Sequence, residues 1–207
     1  MKVLLLNGSP KHDGCTFTAL SEVGKTLEKN GIEIEWLHIG AKPVRGCTGC
    51  WKCRDTKVCI FDDDLCNTII EKITEADGVV VGSPVYYSSA NGALCALLDR
   101  AFYAGSANFH HKPAACVVSC RRGGASAAFD RLNKYFTIAQ MPVVSSQYWN
   151  AVHGNRPEHI LADAEGLQIM RVIGSNMAWL LKNIEKGDPP PEPEQKRCFT
   201  SFHDGKL

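Results

Sequence analysis

The sequence lacks the long hydrophobic runs and the one-sided charge that mark membrane proteins and nucleic-acid-binding proteins. No apolar stretch approaches the roughly 18 residues that a membrane-spanning helix needs. The apolar run at residues 1–6 is too short for a secretory signal, and no small-residue cleavage site follows it. Lys and Arg number 23 against 22 Asp and Glu, which leaves a formal net charge of +1. We therefore expect a soluble, cytoplasmic protein that binds neither membrane nor nucleic acid.

The sequence also lacks internal repeats and blocks of like charge, so one globular domain is the simplest organisation. Its 207 residues are 44% hydrophobic and 22% charged, which suffices for a core and excludes general disorder. A proline-rich segment begins at residue 188. We predict a domain over residues 1–187, with a cysteine-rich insertion at residues 40–61, and a C-terminal arm over residues 188–207.

Short apolar runs alternate with amphipathic segments, a pattern typical of a parallel sheet with helices on both faces. Helical spacing predicts five helices, and apolar runs predict five strands at residues 3–6, 32–38, 78–82, 114–119 and 141–145. The second strand alternates apolar with polar residues and the fifth contains Pro142, which are features of edge strands. The strand order 2-1-3-4-5 places the second and fifth strands at the two edges of the sheet. We therefore predict an α/β, flavodoxin-like three-layer sandwich with a five-stranded parallel sheet.

A sheet of this order binds its ligand beyond the carboxyl ends of its strands, at the switch point between strands one and three. Loops at residues 7–16, 82–91 and 119–124 leave those ends. The first loop matches neither the dinucleotide-binding glycine motif nor the P-loop. Its glycines, the hydroxyls of Ser9 and Thr16, and the helix N-terminus behind it nevertheless suit an anion. A plain strand-to-helix turn is the alternative.

The other two loops suit a flat ring. Tyr86 and Tyr87 stand beside an apolar turn, and Gly123 and Gly124 free backbone amides in the third loop. Taken singly, either tyrosine could instead be an ordinary core or surface aromatic.

Together the loops resemble the NADPH-dependent FMN reductase family of flavodoxin-like proteins. The matching segments are N-G-S-P-K at residues 7–11 with Thr16, G-S-P-V-Y at residues 82–86, and L-D-R at residues 98–100. The resemblance spans about residues 1–185. It implies that FMN is the bound cofactor and that NAD(P)H is the co-substrate.

The same resemblance implies which residues hold the flavin. Contacts to the phosphate would come from Ser9, Lys11, Gly14, Cys15 and Thr16. Contacts to the ring would come from Pro84, Val85, Tyr86, Tyr87, Ser119, Gly123 and Gly124. Cys15 stands where the family commonly has Asn, so the contact at that position departs from the family pattern.

Four of the ten cysteines are crowded into residues 47–59 with the spacing C-x2-C-x2-C-x5-C. They are Cys47, Cys50, Cys53 and Cys59. Three cysteines at this spacing can wrap one corner of a cubane cluster while the fourth closes it, whereas zinc sites usually use two separated pairs. We predict a 4Fe-4S cluster here, with free thiols as the alternative. The motif also resembles that of the iron–sulfur flavoproteins, which share the predicted fold.

The resemblance implies an oxidoreductase that passes electrons from NAD(P)H through FMN to a quinone, flavin, iron–sulfur or protein acceptor. Because the flavin carries the chemistry, no side chain is predicted to be catalytic. The alternative is an iron–sulfur flavoprotein that carries electrons without substrate turnover of its own. A metal-stabilised binding module without flavin is a third interpretation, and the three-loop match disfavours it.

The C-terminal arm predicts self-association. Its prolines stiffen residues 188–194, and Phe199 and Phe202 follow in a polar stretch. Two aromatic side chains at the end of a stiff arm need a groove, and a partner subunit offers one. We therefore predict a homodimer or homotetramer, with a frayed terminus as the alternative.

Overall fold

A computed structural model describes residues 1–191 and shows a central sheet flanked by helices. The strands are β1 (Lys2–Asn7), β2 (Glu33–His38), β3 (Gly78–Tyr86), β4 (Ser89–Ala90), β5 (Ala114–Cys120) and β6 (Ala151–His153). The helices are α1 (Cys15–Lys29), α2 (Cys53–Thr56), α3 (Cys66–Glu75), α4 (Gly92–Gly105), α5 (Ala125–Ile138), α6 (Pro157–Ala162) and α7 (Ala164–Lys186). A short 3₁₀ helix, Ser106–Asn108, follows α4.

The strand order confirms the predicted flavodoxin-like sheet. Parallel pairing runs β2-β1-β3-β5-β6, and β4 pairs antiparallel with the end of β3. Since β5 and β6 occupy the fourth and fifth positions, the path is the order 2-1-3-4-5. The switch point between β1 and β3 therefore lies where the sequence places the first and second loops.

The predicted fifth strand at residues 141–145 is wrong in its position. Only Val143 forms a bridge there, with Ala114, and the edge is completed further along the chain by β6. Pro142 contributes no N–H, so it can only accept, from the Ala114 amide at 2.9 Å. The gap between the bridge and β6 is closed by buried Asn150, whose side-chain amide donates to the Cys116 carbonyl at 3.0 Å. A side chain thus replaces part of the expected strand.

Alternating side chains of the buried strands form a core on each face of the sheet. Leu4 and Leu6 of β1 face the layer of α3, α4 and α5. Val3 and Leu5 face the layer that contains α1 and α7. Strand β2 is only partly buried, in agreement with its alternating sequence.

No helix within residues 1–191 is long and apolar enough to cross a bilayer. Helix α7 ends at Lys186, and the chain from residue 187 to residue 191 is exposed. Phe199 and Phe202 lie outside the described residues. The C-terminal arm, and the homodimer or homotetramer inferred from it, therefore stay predictions.

Candidate functional site

The structure brings the three predicted loops together at the carboxyl edge of the sheet. The Gly8 amide donates to the Gly82 carbonyl at 2.8 Å, which joins the first loop to β3. The side chain of Asn91 donates to the Gly8 carbonyl at 2.8 Å. The hydroxyls of Thr16 and Ser119 are hydrogen-bonded at 2.9 Å, which joins α1 to β5. One site is therefore built from segments far apart in the sequence.

The first loop is shaped by short side-chain bonds to its own backbone. Oδ1 of buried Asn7 accepts from the Ser9 amide at 3.1 Å, and Nδ2 of Asn7 donates to the His12 carbonyl at 3.1 Å. Oγ of Ser9 accepts from the Lys11 amide at 3.1 Å. Within residues 1–191, no side chain caps the first turn of α1, which follows Gly14. The amides of that turn stay free to donate to an anion.

Close backbone approach explains the glycine after β1. A Cβ on Gly8 would lie 2.6 Å from the Gly82 carbonyl oxygen and 2.4 Å from Cδ2 of Leu94. No side chain fits between these groups, so residue 8 must be glycine for the first loop to press against β3.

The second loop is a tight turn that holds an aromatic side chain in the open. Val85 pairs with Ala90 and Tyr86 with Ser89, which leaves Tyr87 and Ser88 as a two-residue hairpin loop. Both loop residues have positive φ, 47° and 57°, as a type I′ turn requires. Neither is the glycine or asparagine usual at such positions, and a left-handed conformation costs each about 1–2 kcal/mol. The Tyr87 side chain is fully exposed.

The third loop packs against this turn. Gly124 has φ +88°, and a Cβ on it would lie 2.7 Å from the backbone of Ser88. The structure thus brings the predicted ring-binding residues together at the carboxyl edge of the sheet, where Pro84 pairs with Ser119 and Gly124 approaches Ser88. Ser119 is buried, Pro84, Val85 and Gly124 are half-buried, and Tyr86, Tyr87 and Gly123 are exposed.

The residues predicted for the phosphate are less uniform in their surroundings. Ser9 and Thr16 are buried, and Lys11 is exposed. Cys15 turns away from the loop toward the Gly154 carbonyl, at 3.8 Å from its Sγ, and burial raises the pKa of its thiol. Its backbone amide, rather than its sulfur, is therefore available to an anion.

Several residues that shape the site were missed by sequence reasoning. The side chains of Asn7 and Asn91 form hydrogen bonds to the backbone of the first loop. His38 of β2 donates through Nε2 to the Ser9 carbonyl at 2.7 Å. The ring of His38 also lies 5.0 Å from that of His12. The position of Asn7 at the end of a buried strand was the one available signal. His38 could be placed only once its pairing with Asn7 in the sheet was known.

The cysteine motif forms a second candidate site, and we call residues 40–61 the cysteine loop. Apart from α2 the loop has no regular secondary structure. All four motif cysteines line one cavity of about 210 Å³. Its other walls include Trp51, Ile60, Phe61 and Tyr103. The four cysteines are free thiols; Cys47 and Cys50 are exposed, whereas Cys53 and Cys59 are half-buried.

The donor set of this cavity suits a cubane cluster, in which four thiolates each bind a different iron. Within residues 1–191, no three His, Cys, Asp or Glu side chains converge closely enough to hold one metal ion. The thiols instead surround a cavity with apolar walls, and they are near enough to interact. Burial raises the pKa of Cys53, and negative charge on Cys50, Cys47 and Cys59 raises it further.

The last cysteine of the motif is firmly held. The Cys59 amide donates to Oδ1 of Asn67 at 2.8 Å, and Nδ2 of Asn67 donates to the Cys59 carbonyl at 2.9 Å. A wider groove of about 1020 Å³ runs beside α4 and α5 and shares Cys47 and Cys53 with the smaller cavity. The cysteine loop can therefore be approached from solvent.

The sheet order and the three loops at its switch point define a flavodoxin-like protein. A flavodoxin from the domain Archaea shares the fold, with a TM-score of 0.60 at 16% identity over 88% of this chain and 100% of the flavodoxin. Residues 1–156 match the NADPH-dependent FMN reductase family. An iron–sulfur flavoprotein of Methanocaldococcus jannaschii is 31% identical over 90% of this chain and 100% of its own length. Another, from Methanosarcina thermophila, is 28% identical over 90% and 98% of the two chains.

The chain belongs to the NADPH-dependent FMN reductase family and is related over nearly its whole length to the iron–sulfur flavoproteins. It is therefore an FMN-dependent oxidoreductase or electron carrier, as both resemblances in the sequence predicted.

Proposed function

We propose that the protein passes electrons from NAD(P)H, through FMN bound at the switch point, to a 4Fe-4S cluster in the cysteine loop. From there they reach a quinone, a flavin or a protein acceptor. The observation that supports this proposal best is the joining of three loops at the carboxyl edge of the sheet, where an uncapped helix N-terminus and an exposed tyrosine both lie. A flavin mononucleotide has the matching parts, a phosphate at one end and a flat ring at the other.

The phosphate end is assigned to the first loop. Amides of Gly14, Cys15 and Thr16 at the start of α1 would hold the phosphate, helped by the positive end of the helix dipole. Ser9 shapes the loop through its bond to the Lys11 amide. The exposed Lys11 ammonium adds a charge that can swing toward a dianion.

The ring end is assigned to the second and third loops. Pro84 and Val85 supply an apolar edge, and Tyr86 and Tyr87 supply aromatic faces. Ser119, Gly123 and Gly124 lie beside the second loop, where their backbone amides would donate to the polar atoms of the ring. When bound, FMN supplies hydride and one-electron chemistry; the chain's residues bind it, orient it and limit its access to solvent.

The cluster is assigned to Cys47, Cys50, Cys53 and Cys59 because all four line one cavity and no other type of ligand is needed. We propose residues 1–187 as a single domain with this loop as an insertion. A carrier without substrate turnover of its own is the second candidate, favoured by the exposure of Cys47 and Cys50 to protein partners. Steady oxidation of NAD(P)H by the purified protein would favour the enzyme over the carrier.

Thermal unfolding with and without FMN tests the flavin site. A ligand at 100 times its dissociation constant stabilises a protein by about 2.7 kcal/mol. At about 2–4 °C per kcal/mol for a chain of this size, FMN should raise the melting temperature by about 5–10 °C. A melting temperature that does not rise in excess FMN contradicts the proposal.

Iron content tests the cluster. Anaerobic reconstitution should yield about four irons per chain, and Cys50→Ser should lose them while it retains FMN. Cys95→Ser is the matched control, since Cys95 is a half-buried thiol on α4 outside the loop. Uptake of zinc alone, or equal iron in both variants, rules the assignment out.

A further inference from the structure

Arg100 of α4 is buried beneath the cysteine loop, and all three of its guanidinium nitrogens are engaged. Its exposed fraction is 2%. Nε donates to Sγ of Cys59 at 3.3 Å. Nη1 donates to the Arg45 carbonyl at 3.1 Å and to the Asp64 carboxylate, and Nη2 donates to the Phe61 carbonyl at 3.3 Å.

Two of these bonds hold the chain on either side of the cysteine motif. Arg45 lies two residues before the first motif cysteine, and Phe61 lies two residues after the last. Because one rigid guanidinium donates to the Arg45 and Phe61 carbonyls, Arg100 fixes the distance between these two residues. The loop has little regular backbone structure of its own, so this clamp replaces the hydrogen bonds that a helix or strand would provide.

The charge of Arg100 is compensated but not removed. The Asp64 side chain that pairs with it is only 7% exposed, and its Oδ1 also accepts from the Cys66 amide at 3.0 Å. Burial raises the pKa of Asp64, but the bond and charge of Arg100, together with the backbone bonds at Cys66 and Arg45, outweigh burial and hold that pKa below its ordinary value. A buried ion pair of this kind is expensive to break, since either partner alone would be an unpaired buried charge.

The bond to sulfur distinguishes Arg100 from a purely structural arginine. A neutral thiol is a weak acceptor, whereas a thiolate accepts strongly from a charged donor. Cys47 also has a hydrogen bond at its sulfur, from the Gly49 amide at 3.5 Å, but that donor is an uncharged backbone group. Cys59 instead receives a bond from a full cationic group.

We infer that Arg100 is a positioning residue that raises the reduction potential of the iron–sulfur cluster through its bond to Cys59. This inference rests on the proposed function, in which Cys59 is a cluster ligand. Hydrogen bonds to ligand sulfurs are one of the factors that set cluster potentials. Reduction adds one negative charge to the cluster, and a cationic donor at a ligand sulfur stabilises that added charge.

The test is a redox titration of the FMN-loaded, iron-reconstituted protein with dithionite, followed by electron paramagnetic resonance. In Arg100→Gln the potential should fall, so that at the wild-type midpoint the reduced-to-oxidised ratio of the cluster drops at least tenfold. For a one-electron couple that equals a shift of about 59 mV or more. FMN content should not change.

Arg54→Gln is the matched control. Arg54 carries the same charge and lies in the cysteine loop itself, but its guanidinium stacks on Trp51 at 3.7 Å from the ring. In Arg54→Gln we expect the reduced-to-oxidised ratio of the cluster to change less than threefold. An Arg100→Gln protein that holds four irons with the wild-type midpoint overturns the inference, and so does an equal shift in both variants.

A second variant covers the case in which Arg100→Gln assembles no cluster. Asp64→Asn keeps Arg100 beside Cys59 but removes the compensating negative charge, so the cluster potential should rise. An unchanged or lower potential in Asp64→Asn overturns the inference by itself. Failure of the wild-type protein to bind iron is a different result, because it contradicts the proposed function instead.

Discussion

The two candidate sites occupy regions that are ordered in different ways. The loops at the switch point continue buried strands, and their shape comes from backbone contacts such as that between Gly8 and Gly82. The cysteine loop begins beyond edge strand β2 and has mostly exposed residues. It is held by side chains of neighbouring helices, Asn67 of α3 and Arg100 of α4.

This difference shows which part of the molecule a cofactor has to organise. The three loops at the switch point are positioned by the sheet, so their arrangement does not depend on a bound ligand. The cysteine loop has less backbone bonding to order it, and binding of a metal cluster there would contribute directly to its stability. Substituting the same type of residue in the switch-point loops and in the cysteine loop should therefore have unequal effects.

The largest contrast is expected between two glycines. In Gly8→Ala the new Cβ meets the Gly82 carbonyl and Leu94, and overpacking of this kind costs about 1–3 kcal/mol. The melting temperature, followed by circular dichroism, should fall by about 2–12 °C. Gly46→Ala in the cysteine loop is the control, since a Cβ there has nothing within 4 Å. Equal melting temperatures for the two variants would mean that the first loop is not pressed against the sheet.

A smaller effect is expected at the turn of the second loop. Tyr87→Asn relieves a left-handed tyrosine, because asparagine adopts that conformation more readily, so the FMN-free protein should melt about 1–3 °C higher. Loss of the aromatic face should at the same time weaken FMN binding about two- to twelvefold, as measured by fluorescence titration.

Ser88→Gly serves as the control for Tyr87→Asn. It relieves the neighbouring left-handed residue of the same turn without removing a ring. Its FMN affinity should equal that of the wild type. If both variants bind FMN like the wild type, Tyr87 does not contact the flavin.

The smallest effect is expected at Glu35 of β2, a residue that belongs to neither candidate site. Glu35 accepts from Lys2 and Lys72 at 2.8 Å each, and these bonds lower the pKa of its carboxyl. Because this pKa is lower in the folded state, the ionised Glu35 carboxylate stabilises the protein at pH values above its unfolded-state pKa of about 4.3. That stabilisation is lost as the pH falls through the folded-state pKa. Glu35→Gln should therefore melt about 1–3 °C lower at pH 7.

The difference between Glu35→Gln and wild type should shrink as melts are repeated at steps of falling pH below the unfolded value. Glu33→Gln, which changes the charge equally at an exposed position of the same strand, is the control. FMN and iron content should be those of the wild type in both variants. A difference that does not shrink as the pH falls would mean that the charge of Glu35 is not its source.

Much of the fold was predictable because its signals are local. Buried strands are continuous apolar runs, and polar alternation marked β2 as an edge. The fifth strand was misplaced because an apolar run with a proline resembles a strand, whereas the true edge, β6, has only three residues. Its position depends on Asn150, whose bond to Cys116 joins residues 34 apart in the chain.

The sequence by itself determined the sheet order, the three loops at its switch point and the spacing of the cysteines, because apolar periodicity and motif spacing are written in neighbouring residues. Only the tertiary structure decided what supports those loops. Arg100 reaches Cys59 across 41 positions of sequence and Arg45 across 55. No local pattern indicates such partners, since they are selected by the packing of α4 beneath the cysteine loop. A buried guanidinium must find acceptors wherever the fold has placed them.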